Sequence, residues 1–122
     1  MKRAGKGRKD YPVTPDGRYF VSRARLWRCT DPGLDDSSRR AAVKALMQAR
    51  RAVMTASEGD AMAAARAAVD EAKHRLGERG PVWWGDGAPD QGGLHPKNST
   101  YAEWWDTLGP EARARGEAPR RK

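Results

Sequence analysis

The chain has 122 residues, with 24 Lys and Arg against 16 Asp and Glu and a formal net charge of +8. That length excludes folds needing about 200 residues or more, such as a TIM barrel, and bounds the chain to a single small domain with tails. Hydrophobic content is 38% and charged content 33%, against about 45–50% and about 25% in an average globular protein, so the core is small and part of the chain lies outside it.

Residues 1–10 carry Lys2, Arg3, Lys6, Arg8 and Lys9 against Asp10. Apart from Met1 the segment lacks large apolar residues, so it is expected to be a disordered basic tail. No apolar h-region follows the basic start and no run of 18 apolar residues exists, so neither a secretory leader nor a membrane span is expected.

Residues 11–30 (YPVTPDGRYFVSRARLWRCT) read as β structure. Thr14-Pro15-Asp16-Gly17 is a turn: proline presets φ, Asp bonds its own backbone and Gly takes positive φ. Tyr11-Pro12-Val13 makes at best a short first strand, and a long strand runs from Arg18 to about Cys29. Its even positions, Phe20, Ala24 and Leu26, are expected to face the core. Its odd positions, Tyr19, Val21, Arg23, Arg25 and Trp27, then face outward. A hairpin or single extended strand of this size needs another layer to pack on.

Asp31-Pro32-Gly33 ends the strand region. A first helix starts near Asp35 or Ser37, both good N-caps, and runs to about Ser57. Val43, Leu46, Met47, Val53 and Met54 form its apolar stripe. Gly59 stops it and Asp60 caps a second helix from Ala61 to about Leu76, with Gly77 as its stop. Met62, Ala65, Val69, Ala72 and Leu76 recur in steps of three and four. The short link predicts a central antiparallel αα-hairpin over residues 35–76. Its alanine-rich second helix allows close approach but buries little, so a further covering surface is expected.

Residues 78–108 form a Trp-rich cover with frequent Gly and Pro. Tyr101, Trp104, Trp105 and Leu108 fall on one face of a short helix that Ser99 or Thr100 caps and Gly109-Pro110 ends. Neighbours in a strand or loop often point opposite ways. One Trp of Trp83/Trp84 and one of Trp104/Trp105 is therefore expected to be buried, covering the helical hairpin with Tyr101, Leu108 and Phe20. Residues 109–122 carry Arg113, Arg115, Arg120, Arg121 and Lys122 against Glu111 and Glu117, and read as a second disordered basic tail. The fold class is thus α+β, with one domain over residues 11–108 between tails 1–10 and 109–122.

The two tails hold seven of the eight net positive charges. Cations clustered at both ends point to phosphate contact, with counterion release making it salt-dependent; the bland alternative is solubility. On the long strand, Tyr19, Arg23, Arg25 and Trp27 are a candidate stacking and phosphate-binding face. The structural alternative pairs these arginines with Asp86, Asp90, Glu103 or Asp106.

No catalytic residue, metal site or cofactor is expected. His74 and His95 lack partners at metal-ligand spacing, and no P-loop, GxGxxG, zinc-finger or RNP1 pattern is present. Asp86 and Asp90 in DGAPD are turn chemistry. Cys29 is a lone thiol that forms no internal disulfide, which suits the cytoplasm.

The succession YPVTPDGRYFVSRARLWRCTDP, an Arg/Ala-rich helical pair, LGERGPVWWGDGAPD and NSTYAEWW resembles a family of small bacterial proteins with no established activity. The likeness spans roughly residues 11–105. It implies a compact unit with dispensable tails and assigns no catalytic residues. The leading expectation is non-enzymatic, weakly specific nucleic-acid binding. The alternative is a protein-interaction module, homodimer included, that uses an exposed strand edge or unburied Trp residues.

Overall fold

The computed structural model describes residues 11–118. These form two compact units: unit 1 from the described residues of 1–30 and 87–122, and unit 2 from residues 31–86. Secondary structure is α+β.

Unit 1 is built on a hairpin of β1 (Tyr19–Ser22) and β2 (Arg25–Arg28), joined by Arg23 and Ala24. Tyr19 faces Arg28, Phe20 faces Trp27, Val21 faces Leu26 and Ser22 faces Arg25. Both strand edges are taken. On the β1 side Val13 forms a bridge with Phe20, and the Val21 N–H donates to the Pro12 carbonyl at 2.9 Å. On the β2 side the Leu26 N–H donates to the Leu94 carbonyl and the Gly93 N–H to the Leu26 carbonyl. Among the described residues, backbone groups on each side of the hairpin are thus already engaged, Pro12 and Val13 on one and Gly93 and Leu94 on the other. A short 3-10 helix (Pro96–Asn98), α3 (Ala102–Thr107) and α4 (Pro110–Glu117) complete the unit.

α4 occupies a stretch expected to be disordered. Its last turn carries Gly116, which is buried against Trp105 and Val21. The Gly116 carbonyl accepts the Ala24 N–H at 2.9 Å. A residue without a side chain lets the helix backbone approach the hairpin this closely, which hydropathy does not register. Trp105 is the buried member of its pair, and its neighbours are Val21, Gly116 and the His95 ring within its own unit.

Unit 2 is the antiparallel helical pair α1 (Asp36–Thr55) and α2 (Asp60–Arg75). The Asp35 carboxylate accepts the Ser38 N–H at 2.7 Å and caps α1. Gly59, at φ 71°, takes the N-cap place of α2, so Asp60 sits in the first turn rather than at the cap. α2 ends as a Schellman motif: the Glu78 N–H donates to the Lys73 carbonyl, the Gly77 N–H to that of His74, and Gly77 has φ 80°.

Ala42, Leu46, Ala72 and Leu76 form the core between the helices, with Leu34, Ala45 and Val69 against it. On α2 this follows the expected seam. On α1 the buried face is Ala42, Leu46 and Ala49: of the expected stripe Leu46 is buried and Val53 half-buried, while Val43, Met47 and Met54 are exposed. Two alanine-lined seams interlock at close range, whereas the larger Val and Met side chains would hold the helix axes apart. Trp84 is the buried member of its pair and meets Trp83 edge to face, with ring centroids 5.0 Å apart.

Candidate nucleic-acid interface

The hairpin turn fixes which residues share a face. Arg23 (φ 53°) and Ala24 (φ 64°) both lie in the left-handed region, as a two-residue type I′ turn requires. Residues directly opposite in an antiparallel pair point to the same side. Tyr19, Val21, Leu26 and Arg28 therefore share the inner face. Phe20, Ser22, Arg25 and Trp27 share the outer one, with Val13 beside Phe20.

This corrects the expected alternation. Tyr19 and Val21 are buried at 0% exposure, and of the expected inward trio only Leu26 is buried. Phe20 is half-buried on the outer face, and Ala24 is half-buried in the turn. Two turn residues break one strand into two, and the parity of inward positions switches between them.

The inner face is a polar network rather than a stacking surface. The Tyr19 hydroxyl donates to Asp90 Oδ1 at 3.2 Å and accepts the Gln91 N–H at 2.7 Å. Burial, only partly opposed by the Gln91 N–H, pushes its pKa up to about 12. Arg28 Nη2 lies 3.0 Å from Asp90 Oδ2. Burial alone would raise the Asp90 carboxyl, but the Gly92 N–H and Arg28 outweigh it and hold the group below its ordinary range. The arginine that pairs with Asp90 is thus Arg28, not Arg23 or Arg25.

A second node anchors the Thr14–Gly17 turn. Asp16 accepts the Thr14 hydroxyl at 2.7 Å, the Arg18 N–H at 3.1 Å and the Tyr101 hydroxyl at 2.7 Å. Burial raises the Asp16 pKa, and these bonds outweigh it and keep the carboxyl low. Tyr101 is pushed up, by burial first and by Asp16 second.

The outer face keeps three of the four expected strand residues. The Arg23 guanidinium carbon stands 4.7 Å from the Trp27 ring centroid. Trp27 Nε1 donates to the Ser22 carbonyl at 2.7 Å, which fixes the ring across the hairpin. Arg25 Nη1 donates to the Gly93 carbonyl at 2.8 Å, and a guanidinium has four further N–H donors. Phe20 stands opposite Trp27, and Tyr11 stacks on Phe20 with centroids 5.8 Å apart. Tyr11, Phe20 and Trp27 are each half-buried. They make an aromatic row bordered by Arg23 and Arg25.

Arg113 and Arg115 lie on α4, whose last turn is bonded to the hairpin tip through Ala24. Arg115 is exposed and Arg113 half-buried. Lys2, Arg3, Lys6, Arg8, Lys9, Arg120, Arg121 and Lys122 lie outside the described residues. Sequence reasoning missed Tyr11 and Phe20. The signal was length: a strand from Arg18 to Cys29 is about twice the usual five to six residues, which calls for a turn inside it.

Among the described residues no cluster of His, Cys, Asp or Glu is placed to hold a metal ion, and no helix is long and apolar enough to cross a membrane. The chain matches no family model, no curated protein and no solved structure.

Proposed function

We propose that this is a non-enzymatic nucleic-acid-binding protein, electrostatic and weakly sequence-specific, whose contact surface belongs to unit 1. The partition of charge carries the reading. Along the sequence, residues 1–30 and 87–122 hold fifteen basic and seven acidic side chains, and residues 31–86 hold nine of each. The whole net charge of +8 therefore lies in the two stretches of sequence that flank the helical pair.

Both basic end segments join the described chain beside the hairpin. Tyr11 stacks on Phe20 at one end, and Gly116 seats against Val21 at the other. In this reading the end segments and Arg23, Arg25, Arg113 and Arg115 meet phosphates and release counterions. Phe20 and Trp27 take unstacked bases, with Arg23 adding a planar cation. The outer face offers rings and guanidiniums without a base-edge code, hence the weak specificity. A cytoplasmic location, where Cys29 remains a thiol, fits this role.

The test is a titration of the full chain with a fluorescent single-stranded oligonucleotide across a salt series. The expected result is binding that weakens steeply with salt and quenches Trp emission, with the quenching lost in Trp27→Leu. Absence of binding at low salt overturns the proposal. A steep salt slope without quenching leaves the cations and removes the aromatic row.

A further inference from the structure

Unit 2 carries a surface that the nucleic-acid reading leaves unused. On α1, Val43, Met47 and Met54 are 38%, 52% and 83% exposed. With Arg50 they stand in steps of four, three and four along one stripe, the spacing by which one helix receives another. The stripe is about 16 Å long at about 1.5 Å per residue. At its C-terminal end a groove of about 550 Å³ opens, lined by Arg50, Val53, Met54, Arg66, Val69 and Arg79.

The charge along α1 is mostly positive, and Asp36 and Asp70, the carboxylates beside the strip and groove, already hold arginines. α1 carries five basic side chains and a single acidic one, Asp36, which already holds Arg39 at 2.7 Å. Arg79 is held by Asp70 at 2.8 Å. Among the described residues no carboxylate lies within ion-pairing distance of Arg50 or Arg66. An arginine inside a helix-docking seam selects its partner as polar residues do in coiled coils, by requiring a carboxylate opposite.

A second copy of the chain would bring the same five-to-one basic helix against itself. A bilayer surface favours a broad apolar face, whereas this strip is one side chain wide and interrupted by Arg50. We infer that the seam and groove of unit 2 dock an acidic amphipathic helix of another protein. Apolar residues at heptad spacing would lie on Val43, Met47 and Met54, with flanking Glu or Asp on Arg50 and Arg66. Methionines suit such a surface because they repack around different side chains.

The full chain, carrying ¹³C-methyl methionine, would be titrated with a synthetic helix of about 18 residues with Leu at heptad positions and Glu on the flanks. The same peptide with Lys for Glu, and phosphatidylglycerol vesicles, are the other probes. The Met47 and Met54 methyl signals should move with the Glu peptide, which should bind at least tenfold tighter than the Lys peptide. Arg50→Glu should reverse that preference, while Arg23→Gln, on the nucleic-acid face, should leave it unchanged. Equal binding of the two peptides, no methyl shift, or an indifferent Arg50→Glu overturns the inference. So does a dimer dissolved by Met54→Glu, which would make a second copy the occupant. Vesicle flotation that Met54→Glu abolishes, without peptide binding, would make it a membrane.

Discussion

The left-handed pair at the hairpin tip makes a direct prediction. Type I′ turns favour Asn-Gly, yet here Arg23 and Ala24 hold φ of 53° and 64°. An L-residue in this region costs about 1–2 kcal/mol, and the Ala24 N–H bond to the Gly116 carbonyl is a backbone bond that glycine makes equally well. Ala24→Gly removes the steric cost while raising unfolded-chain entropy by about 0.5–1 kcal/mol. The net is a stabilisation of about 0.7 kcal/mol, or a Tm rise of about 4 °C for a domain of this size. Thermal unfolding by circular dichroism measures it. Oligonucleotide affinity should stay within about twofold, because the substituted atom is a methyl group and the backbone bond survives. Arg23→Asn should also raise Tm slightly, since Asn tolerates the left-handed region. It should nonetheless weaken oligonucleotide binding about three- to tenfold by removing the cation over Trp27. Strain tolerated for the sake of a displayed arginine predicts this opposition of stability and affinity. An unchanged or lower Tm in Ala24→Gly would refute the strain argument.

Gly77→Ala should destabilise unit 2 by about 2–3 kcal/mol: the position has φ 80°, and a Cβ there would stand 2.8 Å from the Asp31 Cβ and 3.1 Å from Trp83. Urea unfolding followed by far-ultraviolet dichroism reads it. Gly116→Leu should cost about 2–3 kcal/mol by overpacking, since even a Cβ would meet Trp105 and Val21 at 3.1 Å; chemical unfolding followed by Trp emission measures it. Stability should also fall at alkaline pH. Tyr19 and Tyr101 have folded pKa values above the ordinary 10, so their contribution is full below about pH 10 and is lost as pH rises through the folded values. Melts between pH 8 and 12, alongside tyrosinate absorbance, check this. Asp16 and Asp90 are depressed and act in the other direction: their contribution is present above about pH 4 and disappears as pH falls below it. An acid-side melt flat to pH 2 would contradict those two networks.

Helix positions were legible in the sequence because capping and stop chemistry is local. Asp35 marks the start of α1 and Gly59 and Gly77 the two ends of α2 within a residue or two, whereas α1 itself ends at Thr55, four residues before the expected stop at Gly59. The α2 seam was legible too, since alanine and leucine recur there at helical steps. The buried side of α1 was not, because hydropathy ranks Val43 and Met47 above Ala42 and Ala49, whereas close packing against an alanine-rich partner ranks them by size. The β faces failed for a related reason: Arg-Ala carries no turn signature, so a two-residue reversal passed for continuous strand. Arg25 and Trp27 face outward under either reading, and Arg23, now in the turn, still sets its guanidinium over Trp27. Tyr19 does not, and gives way to Phe20 and Tyr11. α4 was missed because its anchor is Gly116, whose contribution is the absence of a side chain.

The two segments of unit 1 are separated by the 56 residues of unit 2, and this has a consequence for biosynthesis. A helical pair held by near-neighbour contacts can form as soon as it leaves the ribosome. Its own ends are tied early, because the Asp31 N–H donates to the Leu76 carbonyl at 2.8 Å. That bond shortens the loop which the β-hairpin must later close. The hairpin, by contrast, waits for Leu94 to cover one edge, for Trp105 to fill its inner side, and for Gly116 to latch the turn. The cover of the hairpin is therefore completed only after the helical pair has been made, and a chain stopped before Gly116 would keep the neutral helices and lack the latch on the hairpin turn.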